Sequence, residues 1–174
     1  MNKVLYEIRR GRILESVHRG RWAVVDGTKV AARSGDVNAV TLMRSSAKPL
    51  QALAVIEAGV VDSLMLDDSE LSVICGSHYG EDHNVRAAAS ILGKAGLSRD
   101  DLQCGIHPPI SIPVQRALAR AGLTPNPLHN NCSGKHAGMV AAAKAMGAPV
   151  GSYLDPKHPL QKANLRNVSR YTGV

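Results

Sequence analysis

The 174-residue chain carries 21 Lys and Arg residues against 14 Asp and Glu residues, a formal net charge of +7, and 44% of its residues are apolar. This composition is typical of a globular protein and excludes a disordered or collagen-like chain. Only 3% of the residues are aromatic and Phe is absent, which argues against the stacking surfaces that bind single-stranded nucleic acid. No apolar run approaches the roughly 20 residues that span a bilayer.

The cysteines and the N-terminal sequence indicate the cellular compartment. Three cysteines without regular spacing do not predict a disulfide framework, and a reducing compartment fits them best. We see no signal peptide and therefore expect a cytoplasmic protein. Five arginines near the start of the chain could bind phosphate, but they flank a strand-like pattern. A solvated strand face is therefore favoured over nucleic-acid binding.

The first part of the chain predicts β-structure. Residues 4–10 and 13–18 mix apolar and charged positions in rough alternation, as in edge or half-buried strands. Two β-rich runs between Trp22 and Ala32 are joined at Asp26-Gly27, which predicts a hairpin. Since a two-stranded ribbon is not stable alone, the predicted sheet is incomplete without further strands.

From residue 45 onwards the pattern becomes helical. Pro49 fits a first helical turn and Gly59 a helix end. A short apolar segment at 71–76 leads into the polar loop 77–80. Further helices are predicted over 81–95, from about 113 to 121, over 137–146 and over 159–171, with loops at 103–113 and 124–131.

The first motif with chemical potential is Ser45-x-x-Lys48 at the start of a predicted helix. Residues three apart share a helix face, so the Lys48 amine can approach the Ser45 hydroxyl. A neutral amine can accept the serine proton, and serine β-lactamases and penicillin-binding proteins use such a pair. The spacing also arises by chance, and the alternative is a capping serine beside an exposed lysine.

The second motif is HNNCSGKH, residues 129–136, which opens a helix. Such a loop can bind a carboxylate or an oxyanion at backbone N–H groups, or hold a metal through Cys132 and a neighbour. Cys132 and His136, four apart, could also form a thiol–imidazole pair. A polar helix cap is the alternative.

The third motif is CGSHYGE, residues 75–81, in which two glycines flank a tight turn that could present Ser77 to a pocket. Cys75 ends an apolar run and is predicted to belong to the core. The spacings of His78 with His83 and of Cys104 with His107 give only weak indications of metal binding.

Together these motifs resemble the L-asparaginases of the asparaginase II type, whose fold is similar to that of serine β-lactamases and glutaminases. The resemblance covers essentially the whole chain and implies an α/β fold in which an antiparallel sheet packs with helices. It implies hydrolysis of L-asparagine to L-aspartate and ammonia. The matching pieces, in the family's order, are RSSAKPLQA (44–52), CGSHYGE (75–81), CGIH (104–107), PLHNNCSGKHAG (127–138) and YLDPKHPLQ (153–161).

The resemblance also implies roles for individual residues. Ser45 would be the nucleophile, with Lys48 as its general base. Ser77 would be a second catalytic serine that moves protons. Arg44 and His136 would contact the carboxylate of the substrate or the catalytic water.

Cys132 and Lys135 would be two ligands of the zinc ion found in some members of that family, and no organic cofactor is expected. Family members are about twice as long. The resemblance therefore implies that residues 1–174 are the N-terminal portion of a single asparaginase II-type domain whose C-terminal half is absent. A homodimer is expected from the family alone, without membrane or nucleic-acid partners.

Three other functions stay open at the level of sequence. The same Ser45–Lys48 pair would serve another serine amidohydrolase, such as a glutaminase or a β-lactamase-like amidase. Cys132, Lys135 and His136 would also suit a zinc- or anion-binding module without catalysis. The positive charge leaves a basic nucleic-acid-binding domain as the third.

Overall fold

The computed structural model describes residues 2–173. The chain divides into two compact units, Met1–Leu42 and Met43–Val174, which we call the hairpin unit and the helical unit. The first contains antiparallel strands and the second contains helices. The predicted α/β class is therefore confirmed.

The hairpin unit consists of two antiparallel pairs. Strand β1 (Lys3–Arg10) pairs with β2 (Ile13–Gly20), and β3 (Trp22–Asp26) pairs with β4 (Lys29–Ser34). The strands and the second hairpin were predicted, whereas the pairing of β1 with β2 was not. The turn of the second hairpin contains Gly27 with φ of +58°, a conformation that glycine adopts without strain. Within the described residues the two pairs are separate two-stranded sheets.

The predicted helices are confirmed, with three differences, of which the first is a one-turn helix at Val60–Ser63 that the sequence did not predict. The apolar segment at 71–76 belongs to a helix, which begins with a capping box in which Asp67 and Glu70 accept each other's backbone N–H. The helix expected from 137 begins at Ser133. The helices are α1 (Lys48–Glu57), α2 (Val60–Ser63), α3 (Asp68–Cys75), α4 (Asp82–Lys94), α5 (Ile112–Arg120), α6 (Ser133–Ala145) and α7 (Pro159–Thr172).

Helix α6 lies at the centre of the helical unit, in contact with α1, α3, α4 and α7. Small residues allow this close packing. A Cβ atom at Gly134 would meet the backbone carbonyl of Val73, and one at Gly138 would lie 3.0 Å from the side chain of Ile74. Ten of its side-chain positions, from Ser133 to Ala143, are buried, so α6 is a fixed platform for the loop that precedes it.

Among residues 2–173, the structure contains no helix that is both long and apolar enough to cross a bilayer.

Candidate active site

Lys48 is the most buried charged side chain of the predicted site, at 2% exposure. It begins α1, and its Nζ donates hydrogen bonds to Ser77 Oγ at 2.8 Å, Gly76 O at 2.9 Å and Asn131 O at 3.3 Å. It forms no ion pair within residues 2–173. A buried amine needs polar partners close by, and two carbonyls and one hydroxyl supply them here.

The three partners of Lys48 determine what its neutral form can do. As an ammonium ion, Lys48 has one N–H for each of the three acceptors. As a neutral amine, it has two N–H groups and a lone pair. Because the two carbonyls can only accept, both N–H groups point to Gly76 and Asn131. The lone pair then faces the Ser77 hydroxyl and can accept its proton.

Ser45 lies beside Lys48 without contacting its amine. It is exposed in the single 3-10 turn Arg44–Ala47 that precedes α1, and its hydroxyl forms no hydrogen bond to Lys48 among the described residues. Both side chains line one pocket of about 290 Å³. The sequence spacing predicts that the Lys48 amine approaches the Ser45 hydroxyl. In the folded chain the serine that this amine contacts is Ser77. The pocket is lined by Arg44, Ser45, Lys48, Gln51, Cys132 and Lys135.

The charge of this pocket is positive. Its lining includes three basic side chains and no carboxylate, so it suits an anionic group of a ligand. Arg44 also has a φ of +50°, which is an unfavourable conformation for a residue with a side chain and is frequently found at functional sites. The turn is held by a hydrogen bond of 2.6 Å from Ser46 Oγ to Met43 O.

The loop before α6 is fixed by two asparagines that the sequence did not single out. The Asn130 side chain accepts from Cys132 N–H at 2.8 Å and donates to Cys104 O at 2.8 Å. The N–H of Asn131 donates to His107 Nε2 at 3.2 Å, while its carbonyl receives Lys48. The dense polar content of the loop was the only sequence signal for these roles.

His78, which follows Ser77, is locked in one tautomer. Its Nδ1 accepts from Gly80 N–H at 3.1 Å, so Nε2–H donates to Ser133 Oγ at 2.9 Å, and that hydroxyl donates to Leu128 O at 2.8 Å. Burial, with the positive charge of Lys48, lowers the pKa of the His78 imidazole to about 4. The ring is therefore neutral near pH 7 and acts as a structural support of the Ser77 turn.

Cys132 and Lys135, the two expected zinc ligands, line the same pocket. Burial lowers the pKa of the Lys135 amine, the negative charge of a Cys132 thiolate opposes this, and the charge of Lys48 adds to it. A neutral amine can bind a metal, but a tetrahedral zinc site needs four ligands. Among residues 2–173, no cluster of three or more His, Cys, Asp or Glu side chains could hold a metal ion. These two residues do not complete a zinc site, and zinc stays a prediction.

The remaining predicted residues are placed as follows. Cys75 is partly buried against the core, as predicted, and burial raises the pKa of its thiol. His136 is buried on α6 and is not part of the lining of the pocket that contains Ser45. Its Nδ1 lies 2.6 Å from the Tyr153 hydroxyl. Tyr153 opens the matching piece YLDPKHPLQ (153–161), but that piece predicted no chemical role for it.

Comparison with known protein families agrees with these motifs. A family model described as L-asparaginase II matches residues 6–174, which is essentially the whole chain. No match was found among curated proteins. The resemblance drawn from the five sequence pieces is therefore confirmed at the level of the family.

Proposed function

The chain belongs to the L-asparaginase II family, and we propose that it hydrolyses the side-chain amide of L-asparagine to L-aspartate and ammonia. The observation that carries this proposal is the buried amine of Lys48, held by two carbonyls and a serine hydroxyl beside a positively charged pocket that contains Ser45. The serine β-lactamase/glutaminase-like fold and a homodimer belong to the same proposal and are supported by family membership.

In the proposed reaction the Ser45 oxygen attacks the side-chain carbonyl carbon of asparagine. Its proton passes to Lys48, either directly or through the Ser77 hydroxyl, which already contacts the amine. The carbon–nitrogen bond then breaks, and the leaving nitrogen takes the proton held by Lys48 to depart as ammonia. Water attacks the resulting ester and gives one of its protons to Lys48, which passes it to the Ser45 oxygen as aspartate leaves.

Two further residues of the pocket would bind the substrate. The positive charge of Arg44, together with that of Lys135 when it is protonated, would attract the α-carboxylate of asparagine. Both lie in the same pocket as Ser45, which supports placing the side-chain amide at that serine. No step of the proposed reaction uses a metal ion.

In a second candidate mechanism the reaction is the same, but the two serines exchange roles. Ser77 contacts the Lys48 amine at 2.8 Å, so it is the hydroxyl that Lys48 can deprotonate in this conformation. In that case Ser77 would attack the amide and Ser45 would bind the substrate.

Ammonia release by the purified chain tests the proposal, with L-asparagine and L-glutamine as substrates. We expect release from asparagine that falls at least about 100-fold in Ser45→Ala and Ser77→Ala. Ser169→Ala, at an exposed position on α7, is the matched control and should retain activity. No release by the folded wild-type chain would contradict the proposal, and a preference for glutamine would indicate a glutaminase instead.

A further inference from the structure

Tyr153 is the largest fully buried side chain of the helical unit and makes two polar contacts. Its hydroxyl oxygen accepts the backbone N–H of Gln103 at 2.8 Å and lies 2.6 Å from His136 Nδ1. The two rings meet edge to face, with centroids 5.6 Å apart. The oxygen therefore already has one donor, and its own proton needs an acceptor.

His136 Nδ1 is the acceptor for that proton. Within residues 2–173, the Tyr153 hydroxyl has no other hydrogen-bond partner apart from Gln103. If Nδ1 carried a proton, the phenol proton would be buried without an acceptor, which costs free energy. The Tyr153 O–H therefore donates to Nδ1, and the single proton of the neutral imidazole is on Nε2.

Tyr153 is itself held firmly. Its backbone N–H donates to Val150 O at 3.3 Å, and its carbonyl accepts from Gln161 Nε2 at 2.7 Å. The side chain of Gln103 donates to Gly151 O at 2.6 Å, which ties the Gln103 loop to the segment before Tyr153. Hydrogen bonds thus hold both the backbone and the hydroxyl of Tyr153 in place. The hydroxyl can therefore hold the His136 imidazole in one orientation.

The position of His136 relates this contact to the pocket. His136 follows Lys135 and lies one helical turn beyond Cys132, and both of these residues line the pocket that contains Ser45. His136 itself is not part of that lining, so a ligand must reach past these two side chains to meet its imidazole. Since Nδ1 is engaged by Tyr153, Nε2–H is the free donor of the ring, and it forms no hydrogen bond within residues 2–173.

We infer that Tyr153 is a positioning residue that holds His136 in the Nε2–H tautomer, so that the imidazole presents a fixed donor to the carboxylate of the bound amino acid. The identity of that ligand rests on the proposed function; the tautomer rests on geometry alone. Tyr153→Phe keeps the ring in the core and removes only the O–H donor, and Tyr171→Phe on α7, which is exposed, is the matched control.

The first test reads the tautomer directly. Long-range ¹H–¹⁵N correlation spectra of the ¹⁵N-labelled chain should show the His136 proton on Nε2 in the wild type and in Tyr171→Phe. In Tyr153→Phe the two tautomers should mix, or Nδ1–H should dominate. A proton on Nδ1 in the wild type would overturn the inference, and so would an unchanged spectrum in Tyr153→Phe.

The second test measures the affinity for L-aspartate, the product, by calorimetry. Tyr153→Phe should weaken binding about fivefold to tenfold, the size of one hydrogen bond. His136→Gln places an amide donor near Nε2, and in that background Tyr153→Phe should have no further effect. An equal loss in both backgrounds would show a purely structural role and overturn the inference. No aspartate binding by the wild type would contradict the proposed function, and the spectra would still decide the tautomer.

Discussion

Val55 on α1 is 1% exposed, whereas Val25 on β3 is 59% exposed. The same side chain thus has opposite surroundings in the two units. Residues of the helical unit pack around α6 and form the buried core, while the hairpin unit leaves apolar residues such as Tyr6 and Trp22 about half exposed. Alternation and helical periodicity therefore predict most local elements in both units, but burial also requires a partner surface.

The predicted chemistry lies entirely in the unit that has a core. Every residue assigned to the site falls between Arg44 and His136. A rigid core is what a buried amine such as Lys48 requires, because its carbonyl partners must stay in place. The predictions below set the two units, or a buried and an exposed position, against each other.

The largest expected effect is on activity. Lys48→Met keeps the length of the side chain and removes the proton acceptor, so ammonia release should fall about 1,000-fold, within the usual contribution of a general base. Lys157→Met, at an exposed lysine, should stay within about twofold of the wild type. Equal activity of the two variants in the ammonia assay would remove Lys48 from the mechanism.

The next effect concerns the packing of α6. Gly134→Ala would force a Cβ atom against the Val73 carbonyl and should lower the free energy of unfolding by about 3 kcal/mol or more. Gly93→Ala in α4, where no atom lies within 4 Å of the added carbon, should raise it by about 0.5–1 kcal/mol. Chemical denaturation followed by circular dichroism measures both. A loss at Gly93 as large as at Gly134 would contradict the packing of α6 on α3.

The two valines test the contrast between the units. Val55→Ala should cost about 2–3 kcal/mol, because it removes buried methyl groups and leaves a cavity. Val25→Ala should change the free energy of unfolding by less than about 0.5 kcal/mol. Chemical denaturation measures both free energies. Comparable losses in the two variants would contradict this contrast, because they would show that Val25 is buried in solution.

The smallest effect depends on pH. The pKa of His78 is lowered to about 4 in the folded chain, below the value near 6.5 of an unfolded histidine. Its neutral state therefore stabilises the fold fully above pH 6.5, and this stability is lost as the pH falls towards 4. Between pH 7.5 and pH 5 the loss from this residue should be about 2 kcal/mol.

The variant that checks this pH effect is His78→Gln, which should flatten this part of the pH dependence of unfolding. His18→Gln, at an exposed position in the hairpin unit, should leave the pH dependence unchanged. Because burial also lowers the pKa of His136, to about 3, part of the pH dependence should persist in His78→Gln, and only an unchanged slope between pH 7.5 and pH 5 would assign the acid sensitivity to other groups.

Much of the fold could be predicted because the signals were local. Asp26-Gly27 indicated a hairpin, and Pro49 and Gly59 bounded α1. The early start of α6 was missed because glycine disfavours helices, and Gly134 is required there only by its approach to Val73. That approach is tertiary, and no short segment of sequence contains it.

The candidate site, like the fold, could be predicted only where its signals were local. The motif containing Ser45 and Lys48 could be recognised from its residues, but the contact between Lys48 and Ser77 joins positions 29 residues apart. Tyr153 reaches His136 across 17 residues and belongs to no motif that we used for chemistry. Family motifs thus indicate the residue types of a site, while the proton partners depend on how the helices pack.

Trapping the acyl-enzyme tests the proposed mechanism most directly. The wild-type chain would be mixed with L-asparagine and quenched with acid, and its peptides would be mapped by mass spectrometry. The mechanism predicts an aspartyl ester on the peptide that contains Ser45, and no ester in Lys48→Met. An ester on Ser77 would exchange the roles of the two serines, and turnover of asparagine without an ester on any serine would contradict the covalent mechanism.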